Sequence, residues 1–330
     1  MTTATTGLRF RTYVGEQDVP AITRVVNAEA ADFGVEEVRS DEATAAWFGH
    51  PTDQFDARRD VVLGELGGTV VAAGGMDWVD TRDGEYRLFR LWGAVDPAAR
   101  GRGIGTALLR ELEERARQMA AGQSFDRRPV FGSFAAVGRL EEAFLRDAGY
   151  EPARWFFDMV RHDLEGVDIA PLPEGIELRP VTPDEHETIW RANREAFRDH
   201  WGGSDESLDA MQRVLDDPDT DTSLWLIAWD GDEVAAGVWN AIRGVENEAL
   251  GLRRGWLESV FTRRPWRKRG LARALITRSL ELLRERGMTS AALGVDADNP
   301  SGALGLYEST GFEIHDRFIE MRRPMEEVTR

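Results

Sequence analysis

Apolar and polar residues along this chain follow two periods, one typical of strands and one typical of helices. Leu8–Tyr13 and Ile176–Pro180 alternate as strands do, and each precedes a helical region, Val19–Ala31 or Pro183–Arg198. In Leu271–Arg286 the apolar positions 271, 274, 275, 282 and 283 share one helical face. This last pattern predicts a long amphipathic helix in the second half of the chain.

The same order of elements recurs in both halves. A strand, turn and strand unit follows the first helical region, and in the second half Asp230-Gly231 between Leu224–Trp229 and Glu233–Asn240 is a hairpin signal. A further strand then leads into a glycine-containing loop, a long helix, another strand, a short helix and a final strand. The strands around the long helices are predicted at Leu88–Val95, Val130–Phe134, Trp256–Phe261 and Ser290–Val295. This order predicts an α+β fold, with a mixed, mostly antiparallel sheet flanked by helices in each half.

Four short motifs recur in the same order at offsets of 163, 167, 162 and 162 residues. The pairs are Val71–Gly74 with Val234–Gly237, Arg100-x-x-Gly103-x-Gly105 with Arg267-x-x-Gly270-x-Ala272, Ala148–Tyr150 with Thr310–Phe312, and Asp158–Met159 with Glu320–Met321. Nearly constant offsets indicate a duplicated domain, and the period is far too long for a solenoid.

The boundary between the copies falls at Gly166–Gly175, which reads GVDIAPLPEG. Two prolines and two terminal glycines disfavour both helix and strand, so this stretch is predicted to be a linker. We therefore predict an N-terminal domain over residues 1–165, a linker over 166–175 and a C-terminal domain over 176–330.

Composition favours a cytoplasmic protein and argues against several classes of function. The chain has no cysteine, which removes disulfides, thiolate nucleophiles and thiolate zinc sites, and its five histidines lack metal-ligand spacing. A formal charge of −18 disfavours nucleic-acid binding. No run approaches the ~18 apolar residues of a membrane span, and the N-terminus lacks a signal pattern. A monomer and a homodimer both remain open.

The strand–loop–helix unit in each copy carries the clearest chemical signal. A glycine between a strand and a helix N-terminus lets backbone N–H groups converge, and the helix dipole adds positive potential, so the loop can hold a pyrophosphate. A P-loop is excluded because its Lys-Ser/Thr ending is absent, and a dinucleotide fingerprint is excluded because Thr106 stands where glycine is required. The alternative is a tight turn at the start of a helix with a solvated basic run, which the duplicated context disfavours.

These loops, together with the segment Asp298–Tyr307 followed by Gly311-Phe312, make each half resemble the GNAT superfamily of N-acetyltransferases nearly end to end. The resemblance implies that acetyl-CoA, the cosubstrate, lies in a splay beside the strand that ends near Val260 and Phe261, and no metal is implied. Its pyrophosphate would meet the backbone amides of the loop residues Arg267, Lys268, Arg269, Gly270, Leu271 and Ala272.

Three further residues of the second copy gain expected roles from this resemblance. Tyr307 would protonate the departing thiolate, which is reasonable because a hydroxyl can serve as general acid. Asn299 would approach the pantetheine, and Glu258 would be the base that takes a proton from the amine. The alternatives are core packing for Tyr307, a helix N-cap with Pro300 in the first turn for Asn299, and an ordinary strand carboxylate for Glu258.

The first copy keeps the loop but not these side chains. Arg100, Gly103 and Gly105 remain as candidate CoA contacts. The positions of Glu258, Asn299 and Tyr307 are taken by the apolar residues Leu91, Val137 and Leu145. Catalysis is therefore expected in the second copy, while CoA binding by the first copy remains open.

The acceptor is expected to be the primary amine of a small molecule. The segment Phe197–Gly203, which includes His200 and Trp201, occupies a region that walls the acceptor site in GNAT proteins, and Trp239 and Asn240 are further candidates with packing as their alternative. Two other functions remain open, a non-catalytic CoA-binding sensor or interaction module and an acetyltransferase acting on proteins or peptides. Acetyl-CoA consumption across a panel of amines would separate the sensor from the enzyme.

Overall fold

The computed structural model of this chain describes residues 6–299 and 302–326. In chain order, the first half forms β1 (Leu8–Thr12), α1 (Val19–Phe33), α2 (Asp41–Gly49), α3 (Ala57–Asp60), β2 (Val61–Leu66), β3 (Thr69–Asp80), β4 (Tyr86–Val95), α4 (Ile104–Ala121), β5 (Arg128–Ala136), α5 (Leu140–Asp147) and β6 (Glu151–Arg161). The second half forms β7 (Ile176–Leu178), α6 (His186–Ala196), α7 (Leu208–Asp216), β8 (Leu226–Asp230), β9 (Glu233–Ala241), α8 (Gly244–Leu250), β10 (Arg254–Thr262), α9 (Leu271–Glu285), β11 (Ser290–Asp296), α10 (Ala303–Ser309) and β12 (Glu313–Pro324).

The chain divides into two compact units. Unit 1 comprises the residues up to 153, residues 202–213 and the residues from 319 onward, and unit 2 comprises residues 154–201 and 214–318. In unit 1 the strands lie in the order β1-β2-β3-β4-β5-β12. Leu108 and Leu112 of α4 pack with Phe89 and Phe131 on one face of this sheet, and α1 helps to cover a second cluster around Ile22.

Unit 2 has the strand order β6-β11-β10-β9-β8-β7. The predicted amphipathic helix is α9, whose Leu271, Leu275 and Leu283 are buried in the same core as Leu257 and Leu293. The predicted hairpin is also confirmed, because β8 and β9 pair antiparallel around Gly231, which has a φ of 59°.

β6, the last strand of the first half, lies in the sheet of unit 2, and β12, the last strand of the second half, extends the sheet of unit 1. β6 pairs antiparallel with β11, and Met159 of β6 lies in the core of unit 2. Ile319 and Met321 of β12 lie in the core of unit 1, where the N–H of Met325 donates to the carbonyl of Pro129 at 3.1 Å. The sequence patterns predict both last strands, and the pairing in three dimensions assigns each of them to its unit.

Because of this exchange, the compact units do not coincide with the domain ranges that the sequence predicts. The stretch 166–175 contains neither helix nor strand, in line with a connecting role. The contact-based units nevertheless interleave along the chain, whereas 1–165 and 176–330 do not. Those two ranges stay a prediction about where the duplicated copies begin and end.

Each unit contains one parallel strand pair that diverges toward a loop. β4 and β5 pair in parallel over Tyr86–Arg90 and β10 and β11 over Arg254–Trp256, while β4 runs on to Val95 and β10 to Thr262. The pairs β1–β2, β2–β3, β3–β4, β6–β11, β7–β8, β8–β9 and β9–β10 are antiparallel, as expected for a mixed, mostly antiparallel sheet. In the part of the chain that the structure describes, no helix is long and apolar enough to cross a membrane.

Candidate active site

The loop between β10 and α9 has the backbone geometry of an anion site. A 3-10 turn over Arg264–Trp266 leads to Lys268 at a φ of 62° and to Gly270 at a φ of 82°, and Gly270 is the N-cap residue of α9. Among the described residues, Lys268 is the one residue other than glycine with a positive φ. Left-handed residues at a helix start turn N–H groups toward one concave face, where the helix dipole adds positive potential.

Open space lies in front of this loop. A Cβ atom added to Gly270 would meet no atom within 4 Å. The side chains of Lys268 and Arg269 are exposed and form no ion pair with a described residue. At the end of β10, Oγ1 of Thr262 is buried without a hydrogen-bond partner. Backbone amides, cationic side chains and an unsatisfied hydroxyl fit a pyrophosphate joined to an amide-bearing arm, which is the chemistry of coenzyme A.

The Arg267 side chain is engaged within the protein. It donates to the carbonyl of Thr262 and the carbonyl of Ala196, each at 3.0 Å, and to Oδ2 of Asp199 at 2.8 Å. Hydrogen bonds from Arg264 and then Arg267 hold the pKa of Asp199 well below its usual range. Arg267 therefore fastens the loop to the segment after α6, and its backbone amide is what remains for the predicted phosphate contact.

The predicted base lies on a β-bulge. The register between β9 and β10 shifts between Leu257 and Ser259, so Glu258 is the extra residue, and bulges of this kind re-aim a side chain next to a site. Nε and Nη2 of Arg243 both donate to Oε1 of Glu258, at 3.0 and 2.8 Å. Oε2 makes no hydrogen bond to a described residue, and the Glu258 side chain is 38% exposed. In unit 1, β3 and β4 pair in unbroken register through Leu91.

Tyr307 lies on α10 and is 6% exposed, in the core cluster that also holds Leu271 and Val295. Its ring meets Phe312 edge-on at 6.1 Å, and its hydroxyl makes no hydrogen bond to a described residue. Burial raises the pKa of Tyr307 to about 12. The alternative of core packing therefore describes the ring, while the hydroxyl stays protonated at neutral pH.

A contact between α9 and α10 brings the phosphate loop and the tyrosine helix together. Nη1 of Arg273, in the first turn of α9, donates to Oγ of Ser309 at 2.9 Å, two residues after Tyr307. Val260 packs against the core that contains Tyr307, and Phe261 is 4% exposed.

The alternative assignment of Asn299, as the N-cap residue of the short helix α10, is wrong. That helix begins at Ala303 with Gly302 as its N-cap residue, at a φ of 74°, and the carbonyl of Asn299 accepts from the Gly302 N–H at 3.2 Å. Glycine takes the cap because this backbone conformation is left-handed. Pro300 and Ser301 of the predicted signature lie outside the described residues.

Aromatic side chains from several elements cluster around Trp239 of β9, the strand beside β10. Trp239 stacks on Trp225 with ring centroids 4.5 Å apart and on Trp190 at 6.0 Å, and its edge meets Phe261 at 6.3 Å. Nε1 of Trp239 and Oδ1 of Asn240 are buried without partners, although Nδ2 of Asn240 donates to the carbonyl of Leu224 at 2.8 Å. Packing accounts for these rings, and the unsatisfied polar atoms keep both residues candidates for acceptor binding.

The predicted acceptor segment is divided between the units. Residues up to Trp201 belong to unit 2, where the Trp201 ring lies 6.3 Å from that of Phe156. Gly202 and Gly203 belong to unit 1, and a Cβ on Gly203 would collide with the carbonyl oxygen of Asp80. No motif in the sequence marks this division.

Unit 1 repeats the loop geometry. Gly101 has a φ of 75° and Gly103 a φ of 76°, and Gly103 is the N-cap residue of α4. Arg100 forms ion pairs with Asp32 and Glu29 and lies over the Phe33 ring at 4.2 Å. A Cβ on Gly105 would make only ordinary contacts at 3.8 Å, so this loop geometry is compatible with Ala272, its counterpart in the second copy.

A cavity of about 940 Å³ opens from this loop. Its lining includes Gly101, Gly103 and Gly105 at one end and Trp47, Phe55 and Trp92 elsewhere, together with the replacement residues Leu91 and Leu145. The first copy therefore keeps room for a ligand where it has lost the candidate acid and base.

Two side chains that the sequence analysis did not single out form hydrogen bonds with β4, where that strand diverges from β5 in unit 1. Oε1 of Glu29 accepts from the N–H of Val95 at 2.9 Å, and Oγ of Ser133 donates to the carbonyl of Leu91 at 2.9 Å. Burial raises the pKa of Glu29 to about 7 against the opposing effects of Val95 and Arg100. Glu29 lies 66 residues before Val95, so no local pattern could have revealed the contact.

The profile of the acetyltransferase (GNAT) family matches the chain twice, over residues 22–125 and 186–312. The chain belongs to the GNAT family of acetyltransferases.

Several proteins similar to this chain carry one name. The mycothiol acetyltransferase of Geodermatophilus obscurus is 29% identical over 325 residues, which cover 92% of this chain and 94% of that protein. The mycothiol acetyltransferase of Nocardiopsis dassonvillei is 33% identical over 255 residues, covering 72% and 74%. With the family match, these relatives make this GNAT protein an N-acetyltransferase.

Two solved structures share the fold. A GCN5-related N-acetyltransferase from Sphaerobacter thermophilus superposes with a TM-score of 0.70 at 24% identity, covering 98% of each chain. A tandem GNAT protein from the clavulanic acid biosynthesis pathway gives 0.71 at 17% identity, covering 97% of this chain and 99% of that one. The predicted tandem architecture is confirmed, as is the α+β fold class.

Proposed function

We propose that unit 2 transfers an acetyl group from acetyl-CoA to a primary amine of a small molecule. The observation that carries this proposal is the loop at the start of α9, where Lys268 and Gly270 adopt left-handed conformations in front of open space. Exposed cationic side chains flank that space in a chain whose formal charge is −18. A local cationic site in an acidic protein is what a polyanionic cosubstrate needs.

Direct transfer requires a base, an acid and a bound thioester. In our proposal the amine nitrogen attacks the thioester carbonyl, forming the C–N bond as the C–S bond breaks. The proton that the amine loses passes to Oε2 of Glu258, directly or through water, because Oε1 is engaged by Arg243. The sulfur that leaves receives a hydrogen bond and then a proton from the hydroxyl of Tyr307.

The high pKa of Tyr307 sets the size of its contribution. Full transfer from a phenol of pKa about 12 to a thiolate whose conjugate thiol has a pKa of ~8.5 is uphill by about 5 kcal/mol. Hydrogen bonding to the sulfur as charge develops is therefore the main effect that we assign to this residue. We place its contribution near the lower end of the ~10²–10⁴-fold range for acid–base groups.

The relatives guide the choice of acceptor class. They are named mycothiol acetyltransferases, and 94% of the Geodermatophilus obscurus protein is covered. We infer a small-molecule amine for this chain on that basis, with Trp239 and Asn240 as candidate contacts. In unit 1 we propose a CoA-type loop formed by Arg100, Gly103 and Gly105 that binds without turnover.

A screen for free thiol released from acetyl-CoA tests the proposal. The full chain is incubated with acetyl-CoA and amines, amino acids, aminosugars, aminoglycosides and peptides, and acetylated products are identified by mass spectrometry. We expect thiol release with a small amine, at a rate that falls in the Tyr307→Phe variant. Release only with peptides would reassign the acceptor, and CoA binding without release from any acceptor would favour the sensor.

A further inference from the structure

Two backbone groups of β4 that face the gap between the diverging strands of unit 1 are bonded to side chains. The N–H of Asp96 donates to the carbonyl of Val71 on β3, so the N–H of Val95 points to the opposite side, into the gap. There it donates to Oε1 of Glu29, and the carbonyl of Leu91 accepts from Oγ of Ser133. Side chains of the same unit thus take two of the backbone hydrogen bonds that the gap could offer to a ligand.

The second copy lacks both of these side chains. Ala196 stands 167 residues after Glu29, the offset that also relates Asp32 to Asp199 and the two loops. Val295 stands 162 residues after Ser133. Neither side chain can accept or donate a hydrogen bond, and no side chain of a described residue accepts from the N–H of Thr262, the counterpart of Val95. The two gaps therefore differ in whether side chains of the protein bond to these backbone groups.

Glu29 also lies on the path of a ligand held by the loop. It lines the same cavity as Ser133 and Val95, and so do Gly101 and Gly103 of the loop. The pantetheine arm of coenzyme A carries amide groups, and such an arm bonds to exposed strand groups as an added strand would. A CoA thioester seated on Gly103 would reach the Val95 N–H and meet the Glu29 carboxylate.

We propose that Glu29 is a built-in competitor of CoA thioesters in unit 1, so that the cavity binds them only when Glu29 leaves the Val95 amide. This inference rests on the CoA-type role proposed for the Gly103 loop and adds a control to it. Glu29 is a blocking residue in this proposal and touches no reacting atom.

The charged surroundings make this competition sensitive to pH. Arg100 from the loop and Glu141 from α5 act on Glu29, and Asp32 on the same helix shares Arg100. The Asp77–Arg90 pair of β3 and β4 lines the same cavity, as does Arg39. Because the pKa of Glu29 is raised to about 7, the carboxylate dominates above that pH and the neutral acid below it. Bonds to an ionised acceptor are about twice as strong as neutral ones, so acidification weakens the block.

Calorimetric titration of the full chain with CoA tests the proposal. The Gly270→Glu variant serves as background, since it is designed to close the site of unit 2. In that background Glu29→Ala, which installs the residue of the second copy, should raise CoA affinity at least tenfold. Adding Gly103→Glu should abolish the binding that is gained.

Two matched variants separate blocking from general electrostatics. Asp32→Ala also removes a carboxylate paired with Arg100 but leaves the Val95 bond intact, so it should raise affinity far less than Glu29→Ala. Glu29→Gln keeps the shape and an acceptor oxygen without the charge and should fall between wild type and Glu29→Ala. Equal gains from Asp32→Ala and Glu29→Ala would overturn the proposal, because charge alone would then explain the effect.

The pH arm gives a second readout. With Glu29 present, CoA affinity of unit 1 should rise several-fold from pH 8 to pH 6, after correction by the Glu29→Ala variant for titration of the CoA phosphate. Parallel pH profiles in the two proteins would refute the competition. A third outcome is CoA binding in the Gly270→Glu background that is abolished by Gly103→Glu but unchanged by Glu29→Ala. That outcome would refute the competitor role of Glu29 and leave the CoA-type loop of unit 1 standing. No binding in any variant, with melting temperatures preserved, would refute both the competitor and the CoA-type loop of unit 1.

Discussion

Gly270→Glu tests the phosphate loop of unit 2 at its most exposed backbone position. Gly270 has a φ of 82° and a ψ of 0°, and its added side chain would project into space with no atom within 4 Å of Cβ. The chain offers a matched control at the other end of the same helix. Gly287 has a φ of 85°, likewise has nothing within 4 Å of an added Cβ, and follows the end of α9 at Glu285.

The effect on stability follows from backbone strain and the helix dipole. A non-glycine residue in the left-handed region costs roughly 1–2 kcal/mol at either position. A carboxylate gains about 0.3–1 kcal/mol near the N-terminus of a helix and loses a similar amount near the C-terminus. We therefore expect Gly270→Glu to lose about 1 kcal/mol of unfolding free energy and Gly287→Glu about 2 kcal/mol. Both melting temperatures should fall by a few degrees.

The effect on ligand binding should run in the opposite order. A unit charge about 6 Å from a phosphate charge adds roughly 2.8 kcal/mol of repulsion at an effective dielectric of 20, which is about a hundredfold in Kd. Calorimetric titration with CoA should show this loss in Gly270→Glu and a near wild-type Kd in Gly287→Glu. Equal CoA affinity of unit 2 in both variants, with the fold intact, would refute the phosphate role of the loop.

The remaining predictions concern catalysis. Tyr307→Phe should lower turnover by about a hundredfold with little change in acetyl-CoA affinity or melting temperature. Normal turnover of this variant on the true acceptor, with chemistry shown to be rate-limiting, would refute the role of Tyr307 as acid. Because its pKa is raised to about 12, ionisation of Tyr307 should cause no loss of rate below about pH 10, which a rate–pH profile checks. Glu258→Gln should shift or remove the acidic limb of that profile. A profile identical to that of the wild type would show that Glu258 is an ordinary strand carboxylate and not the base. Gly103→Glu should leave turnover within a few-fold, and a loss as large as that from Gly270→Glu would show that unit 1 also takes part in catalysis.

Local signals in the sequence predicted most of the fold. Strand and helix periods are visible within ten to fifteen residues, and the Asp230-Gly231 turn and the amphipathic helix α9 were both confirmed. The short helices α2, α3, α7 and α8 were not predicted. Segments of four to nine residues are too short to form stable helices alone, so packing against neighbours decides whether they are helical.

Some features of the candidate site were likewise predicted from local sequence signals, and others were not. Glycine spacing in Arg267-x-x-Gly270-x-Ala272 predicted a loop at the start of a helix, and Gly270 is the N-cap residue of α9 with a positive φ. The assignment of Asn299 as a possible N-cap was wrong, because the cap conformation before α10 is left-handed and belongs to Gly302. Sequence context suggested Glu258 as a base, but its place on a bulge depends on how β10 pairs with β9.

Sequence patterns alone established that the chain is duplicated, where its long helices and most of its strands lie, and that glycine-containing loops precede α4 and α9, because repeats, periodicity and glycine turns are local properties. The exchange of β6 and β12 between the units and the hydrogen bond from the Val95 N–H to Glu29 became visible only in the folded chain. Both depend on contacts between residues far apart in the chain. Two similar copies offer nearly equivalent partners for such contacts, so only the packed structure distinguishes between them.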